Sequence, residues 1–177
     1  MRVIGGIFKG RVLNEFKGKD VRPTSDMARE SLFNILRNKL TNCCFLDVFS
    51  GTGAVGIEAF SRGAKRVVLN DISRDSVRLI GENLKKLSLE SLVELYNRDA
   101  LVLLDQITES FDVIYLDPPY NSNIKTEAIK KSSRILSDEG LIILEDENFF
   151  EDKIEGLVEI DRRKYGRVHL TFFKKEK

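Results

Sequence analysis

The chain has no tryptophan, one histidine (His169), two cysteines and three prolines among its 177 residues. Each scarcity removes a class of protein. Cys43 and Cys44 are neighbours, and adjacent cysteines do not close an unstrained disulfide, so a disulfide scaffold is excluded and a reducing compartment is implied. A lone histidine beside these two thiols falls short of the usual donor set of a zinc site, so no metal is expected and His169 reads as an ordinary strand residue. No apolar run approaches the roughly 18 to 20 residues of a membrane helix, and the start, Met1-Arg2-Val3-Ile4-Gly5-Gly6, lacks the apolar stretch of a signal peptide. These absences predict a cytoplasmic protein with no membrane partner. The 42% hydrophobic content suffices for the core of one domain, and no repeat or low-complexity linker marks off a second.

Net charge is only +1, but it is unevenly spread. Residues 1–40 carry nine Lys/Arg against four Asp/Glu, and residues 162–177 carry seven against one, which leaves an acidic centre. Two basic ends can face one polyanion, because cations neutralising phosphates are the main sequence-independent source of nucleic-acid affinity. The same counts also describe two solvated faces.

From residue 43 onward, apolar runs at 43–49, 66–71, 92–96, 111–116, 141–145 and 168–173 predict strands, nearly continuous as in a parallel sheet buried on both faces. Between them, Val77, Ile80, Leu84 and Leu87 mark a helix by three-and-four spacing, and Ile124, Ala128 and Ile135 suggest another. The pattern is α/β, a doubly wound Rossmann-like sheet. Residues 1–22 precede it as a pliable basic arm, then 23–40 as a docking helix with Ala28, Leu32, Phe33, Leu36 and Leu40 on one side, and 41–177 as the core.

The segment Phe45-Leu46-Asp47-Val48-Phe49-Ser50-Gly51-Thr52-Gly53 runs from a strand into a glycine turn, where a missing Cβ lets the backbone approach a ligand. Gly51, Gly53 and Gly56 also satisfy the dinucleotide pattern, which is weak alone. Asp47 argues against a pyrophosphate nearby and for a cationic ligand. S-adenosyl-L-methionine carries both an ammonium and a sulfonium, and Ser50 and Thr52 join its predicted cradle. Asp71 with Ile72, and Asp99 with Ala100, follow the next two strands, where carboxylates can accept hydrogen bonds from a nucleoside; singly, each aspartate could instead cap a helix.

The fourth strand delivers Asp117-Pro118-Pro119-Tyr120 to the same edge. An exocyclic amine on a nucleic-acid base is a poor nucleophile because its lone pair is delocalised into the ring. The Asp117 carboxylate and Pro118 carbonyl supply acceptors for its hydrogens, while the prolines fix the backbone and offer no competing donor. Tyr120 is suited to stack on an extruded base. The tetrapeptide predicts methyl transfer to such an amine and leaves the base open.

Taken together, Arg2-Val3-Ile4-Gly5-Gly6, Lys9-Gly10-Arg11, Arg22-Pro23-Thr24, Arg29-Glu30, the Phe45–Ala59 stretch, Ser61-Arg62-Gly63-Ala64 and Asp117–Tyr120 resemble the bacterial 16S ribosomal RNA guanine-N2 methyltransferases over nearly the whole chain. The resemblance implies a class I methyltransferase sheet, mostly parallel with an antiparallel last strand. It implies methylation of guanine N2 in 16S rRNA on an assembling small ribosomal subunit, by a monomer. It also implies that Arg22, Pro23 and Thr24 lie over the cofactor and base pocket, and that Arg2, Lys9, Arg11, Arg22 and Arg29 face RNA. Two other readings stand beside it: an adenine-N6 methyltransferase acting on DNA or RNA, and an RNA-binding assembly factor that keeps the fold without catalysis.

Overall fold

The computed structural model describes residues 1–16, 26–119 and 124–176. Within them the order is a 3-10 turn (Gly6–Phe8), α1 (Asp26–Ile35), β1 (Cys44–Asp47), α2 (Ala54–Ser61), β2 (Arg66–Asn70), α3 (Arg74–Leu87), β3 (Val93–Tyr96), α4 (Ala100–Gln106), β4 (Phe111–Leu116), α5 (Ile124–Arg134), β5 (Leu136–Asp146), β6 (Leu157–Tyr165) and β7 (Val168–Lys175). Among the described residues no helix is long and apolar enough to cross a membrane.

The strands form one sheet in the order β3-β2-β1-β4-β5-β7-β6. The first five run parallel, and β7 is antiparallel to both of its neighbours. Phe45 and Leu46 of β1 point to opposite faces and both are fully buried, which is why β1 reads as an unbroken apolar run. Helices α1, α2 and α3 cover one face through Leu32, Phe33, Ile57, Ile80 and Leu84. Helices α4 and α5 cover the other through Leu103, Leu104, Ala128 and Ile129. Ser73 caps α3 by accepting from the Ser76 amide at 3.3 Å, and Lys85 and Lys86 sit in its last turn, where cations meet the negative end of the helix dipole.

Three expectations are corrected. The strand ending at residue 145 begins at Leu136, well before residue 141. The docking helix is shorter than 23–40: it spans 26–35, with Leu36 and Leu40 buried just beyond it, and 23–25 lie outside the described residues. The edge strand β6 had no counterpart among the predicted runs, since its residues alternate between half-buried and exposed and carry charges.

The arm is also better ordered than its glycines suggest. An antiparallel bridge joins Arg2 to Val12, and the amides of Val3 and Leu13 bond to the carbonyls of Arg11 and Met1, both at 3.0 Å. Glu58, fully buried on α2, accepts from the Ile4 and Gly5 amides at 2.7 Å each and from Arg62 Nε at 2.7 Å. Ser61 Oγ donates to the Gly5 carbonyl at 2.6 Å and accepts from the Phe8 amide at 3.0 Å. These bonds satisfy a buried carboxylate and fasten the arm to the sheet's helical layer.

Candidate active site

The chain leaves β1 in one direction to β2 and β3, then jumps back to β4 on the other side of β1. Parallel sheets bind ligands at such a switch, beyond the carboxyl ends of the strands. Asp47 ends β1 and Asp117 follows β4, so the two acids flank the switch, with Asp47 paired to Tyr115 and the Val48 amide bonded to the Tyr115 carbonyl at 3.1 Å.

Asp47 is 1% exposed, and among the described residues neither of its carboxylate oxygens closes a hydrogen bond. The Ser50 hydroxyl and Gly56 amide lie near enough to moderate its charge, yet Ser50 Oγ donates instead to the Asp47 carbonyl at 2.9 Å. Burial, and next the charge of Asp71, push the Asp47 carboxyl up to about 8. An unpartnered buried carboxylate is costly unless a donor or cation meets it. Gly51 takes a φ of +53°, and among the described residues a Cβ there would meet nothing within 4 Å, so none of them crowds the turn. A cleft of about 590 Å³, walled by Glu15 and Phe16 of the arm and by Ser76 and Leu79 of α3, reaches Gly51 from the α3 side. The donor-hungry acid and the open turn fit the cationic amino-acid end of S-adenosyl-L-methionine.

The remaining cofactor candidates are held by their own contacts. Asp71 accepts from the Gly51 and Ser73 amides, both at 2.8 Å, and so ties the β2 end to the glycine turn. Asp99 does cap a helix: its Oδ1 accepts from the Leu101 and Val102 amides at 2.9 and 3.1 Å. Ile72 is 69% exposed at the strand ends, an apolar surface available to a nucleobase, while Ala100 is buried and opens α4. Gly53 leads into α2, and Thr52 gives its carbonyl to Asn83. Thr24 lies outside the described residues.

Asp117 is half-buried, Pro118 buried and Pro119 exposed; Tyr120 lies outside the described residues. Burial raises the Asp117 carboxyl well above its usual range, and the negative charges of Glu145, Asp47 and Asp146 add to the effect. Glu145 is itself buried and hydrogen-bonded to the Tyr115 hydroxyl, and Asp146 pairs with Lys125. The edge is therefore dense in carboxylates, an electrostatic setting that attracts a cation.

Of the residues expected to face RNA, Arg2, Lys9 and Arg11 are exposed on the arm, and Arg22 lies outside the described residues. Arg29 is a correction: it is 1% exposed, with Nη2 donating to the Arg2 carbonyl at 2.7 Å and to Asp26 at 2.9 Å. It ties α1 to the arm and is too buried to meet a phosphate.

Two asparagines escaped the sequence reading. Asn70, fully buried, donates to the Val48 and Arg98 carbonyls at 3.1 Å each and accepts from the Arg98 amide at 3.1 Å, joining the loops after β1 and β3. Asn83, also fully buried, accepts from the Asn14 amide at 2.7 Å and donates to the Asn14 and Thr52 carbonyls at 3.2 and 3.3 Å, joining the arm to the glycine turn. A signal was present for the second: Asn83 falls on the apolar stripe of Ile80, Leu84 and Leu87.

This sheet order, with the antiparallel β7 inserted before the edge and an acid-glycine turn after β1, defines an S-adenosyl-L-methionine-dependent class I methyltransferase. More particularly, the chain belongs to the family described as Conserved hypothetical protein 95, which matches residues 1–174. It is 33% identical over 183 residues to the Bacillus subtilis protein named "Putative rRNA methyltransferase YlbH", covering 99% of both chains. It is 36% identical over 132 residues to ribosomal RNA small subunit methyltransferase D of Haemophilus influenzae, covering 73% of this chain and 68% of that one. Among solved structures, "Putative methyltransferase yhhF from Escherichia coli" matches with a TM-score of 0.88 at 29% identity, covering 99% of this chain and 98% of that one.

Proposed function

We propose that the chain methylates the exocyclic N2 of a guanine in 16S rRNA, within an assembling small ribosomal subunit, using S-adenosyl-L-methionine. The observation that carries this reading is the pair of acids flanking the switch point, the buried and unpartnered Asp47 before the glycine turn on one side and Asp117-Pro118 on the other. The relatives named as ribosomal RNA methyltransferases support RNA as the substrate.

The cofactor supplies an electrophilic methyl group. The rest falls to residues of this chain. Asp47 meets the cationic amino-acid end, the Gly51 turn admits it, and Asp71, Ile72 and Asp99 surround the nucleoside. Cation binding stabilises the ionised form of Asp117, whose carboxylate then accepts one N2 hydrogen while the Pro118 carbonyl accepts the other. That arrangement aims the nitrogen lone pair, and proximity of this kind is worth about 7–11 kcal/mol. The high proton affinity of Asp117 suits it to take the proton that N2 releases. Tyr120 stacks on the base, Thr24 covers the pocket, and Arg2, Lys9, Arg11 and Arg22 hold phosphates. The protein acts as a cytoplasmic monomer of one domain.

The test is transfer of labelled methyl from S-adenosyl-L-methionine to small-subunit particles lacking the modification. Wild type labels the RNA. Asp117→Ala abolishes labelling while cofactor binding persists; loss of binding would move Asp117 into the cofactor site, and labelling that survives would remove it from catalysis.

A further inference from the structure

The acid-lined edge that suits a cationic cofactor offers RNA phosphates little to bind, since Asp47, Asp117 and Glu145 stand there and the nearby Lys125 is already paired with Asp146. The arm, bonded to α2 and α3, offers cations on the β1–β3 half of the sheet. The structure also sorts the positive charge of the carboxyl-terminal segment. Arg162 is committed to Glu159 at 2.6 Å and Glu151 at 3.3 Å, with its guanidinium over Phe149, and Arg163 is committed to Asp161 at 2.9 Å. Lys174 and Lys175 pair with Val158 and Leu157 at the far end of β7. Lys164 and Arg167 remain, exposed and, among the described residues, in no ion pair.

The sheet register carries these two to the catalytic edge. Leu116 pairs with Leu144, Asp146 two residues later pairs with His169, and His169 pairs with Lys164. Lys164 is therefore level with the residues just past β4, and Arg167 lies in the turn beyond it. Three inter-strand spacings separate β4 from β6, roughly 14 Å, a span of a few nucleotides along a strand. The tip is a tight turn seated on the core. Tyr165 pairs with Val168 across a two-residue turn, Gly166 takes the positive φ of 63° that such a turn asks of its first central residue, and Tyr165 packs on the core.

We propose that the β6–β7 tip is a second RNA-docking point, with Lys164 and Arg167 gripping backbone phosphates on the flank of Asp117 away from the arm. The proposal rests on RNA being the substrate. Its test is the double variant Lys164→Gln/Arg167→Gln, which keeps Gly166, compared with Lys174→Gln/Lys175→Gln, which removes equal charge from the far end of β7. Binding to and methylation of unmodified small-subunit particles are followed across salt concentrations. The tip variant is expected to raise KM about tenfold and to flatten the slope of log affinity against log salt by about 1.5, near 0.7–0.9 for each phosphate no longer neutralised. Its kcat and cofactor affinity stay at wild-type values, and the far-end variant behaves as wild type. A tip variant with unchanged KM and salt slope overturns the proposal, as does an equal loss in the far-end variant. Wild-type protein that fails to bind the particles would bring down the RNA reading itself, and this docking point with it.

Discussion

Binding of the cofactor should expel a proton from Asp47. In the unliganded protein this carboxyl sits near 8, chiefly because it is buried and secondarily because Asp71 is close. A cationic ligand meets it in its ionised form. At pH 7 a group of that pKa is about nine-tenths protonated, so complex formation releases about 0.9 proton per site, falling to about 0.1 at pH 9. Over the same range Asp47 alone should raise the apparent affinity for S-adenosyl-L-methionine about fivefold from pH 7 to pH 8 and about twofold more by pH 9, roughly tenfold in all. Stability has the opposite sign. The stabilisation is present in full below the ordinary value of 3.8 and is lost as pH climbs to about 8, at up to about 1.4 kcal/mol per unit, because the folded state holds the extra proton. Titration calorimetry at pH 7 in two buffers of different ionisation enthalpy counts the proton. The ligand's own amino group titrates equally in wild type and Asp47→Asn, so the difference between the two proteins isolates Asp47. Equal proton release by both would refute the reasoning.

Glu58→Ala strands the partly buried Ile4 and Gly5 amides and Arg62; urea unfolding should show a loss of about 2–4 kcal/mol, and trypsin should cut at Lys9 or Arg11 faster than in wild type. Asn70→Ala removes three hydrogen bonds, one buried and two partly buried, between the loops after β1 and β3; about 2–4 kcal/mol of stability should go, with weaker cofactor binding by calorimetry. Asn83→Leu keeps the apolar stripe of α3 but frees Asn14 and Thr52; the dissociation constant of S-adenosyl-L-methionine should rise several-fold, and an unchanged constant would show that the glycine turn holds its shape without the arm.

What the sequence disclosed follows from burial geometry. Strands β1, β2 and β4 are buried on both faces, so they are written as apolar runs. The positions of Asp47 and Asp117 were legible because each acid closes or follows such a run. Strand β6 was not, because an edge strand with charges on it keeps no run. Glu58, Asn70 and Asn83 were hidden for another reason: each bonds a backbone 54, 28 or 69 residues away, and only the fold brings those partners together. Arg29 misled because a cation in a basic segment reads as surface, whereas its side chain is buried and its Nη2 donates to the Arg2 carbonyl and Asp26.

On the proposed reading Asp117-Pro118 and the acids around it direct transfer to an exocyclic amine, and the choice of guanine is the claim built on top of that chemistry. Mass spectrometry of nucleosides released from small-subunit RNA methylated by the purified protein tests it directly. N2-methylguanosine is the expected product, with no other new methylated nucleoside; N6-methyladenosine in its place would contradict the assignment.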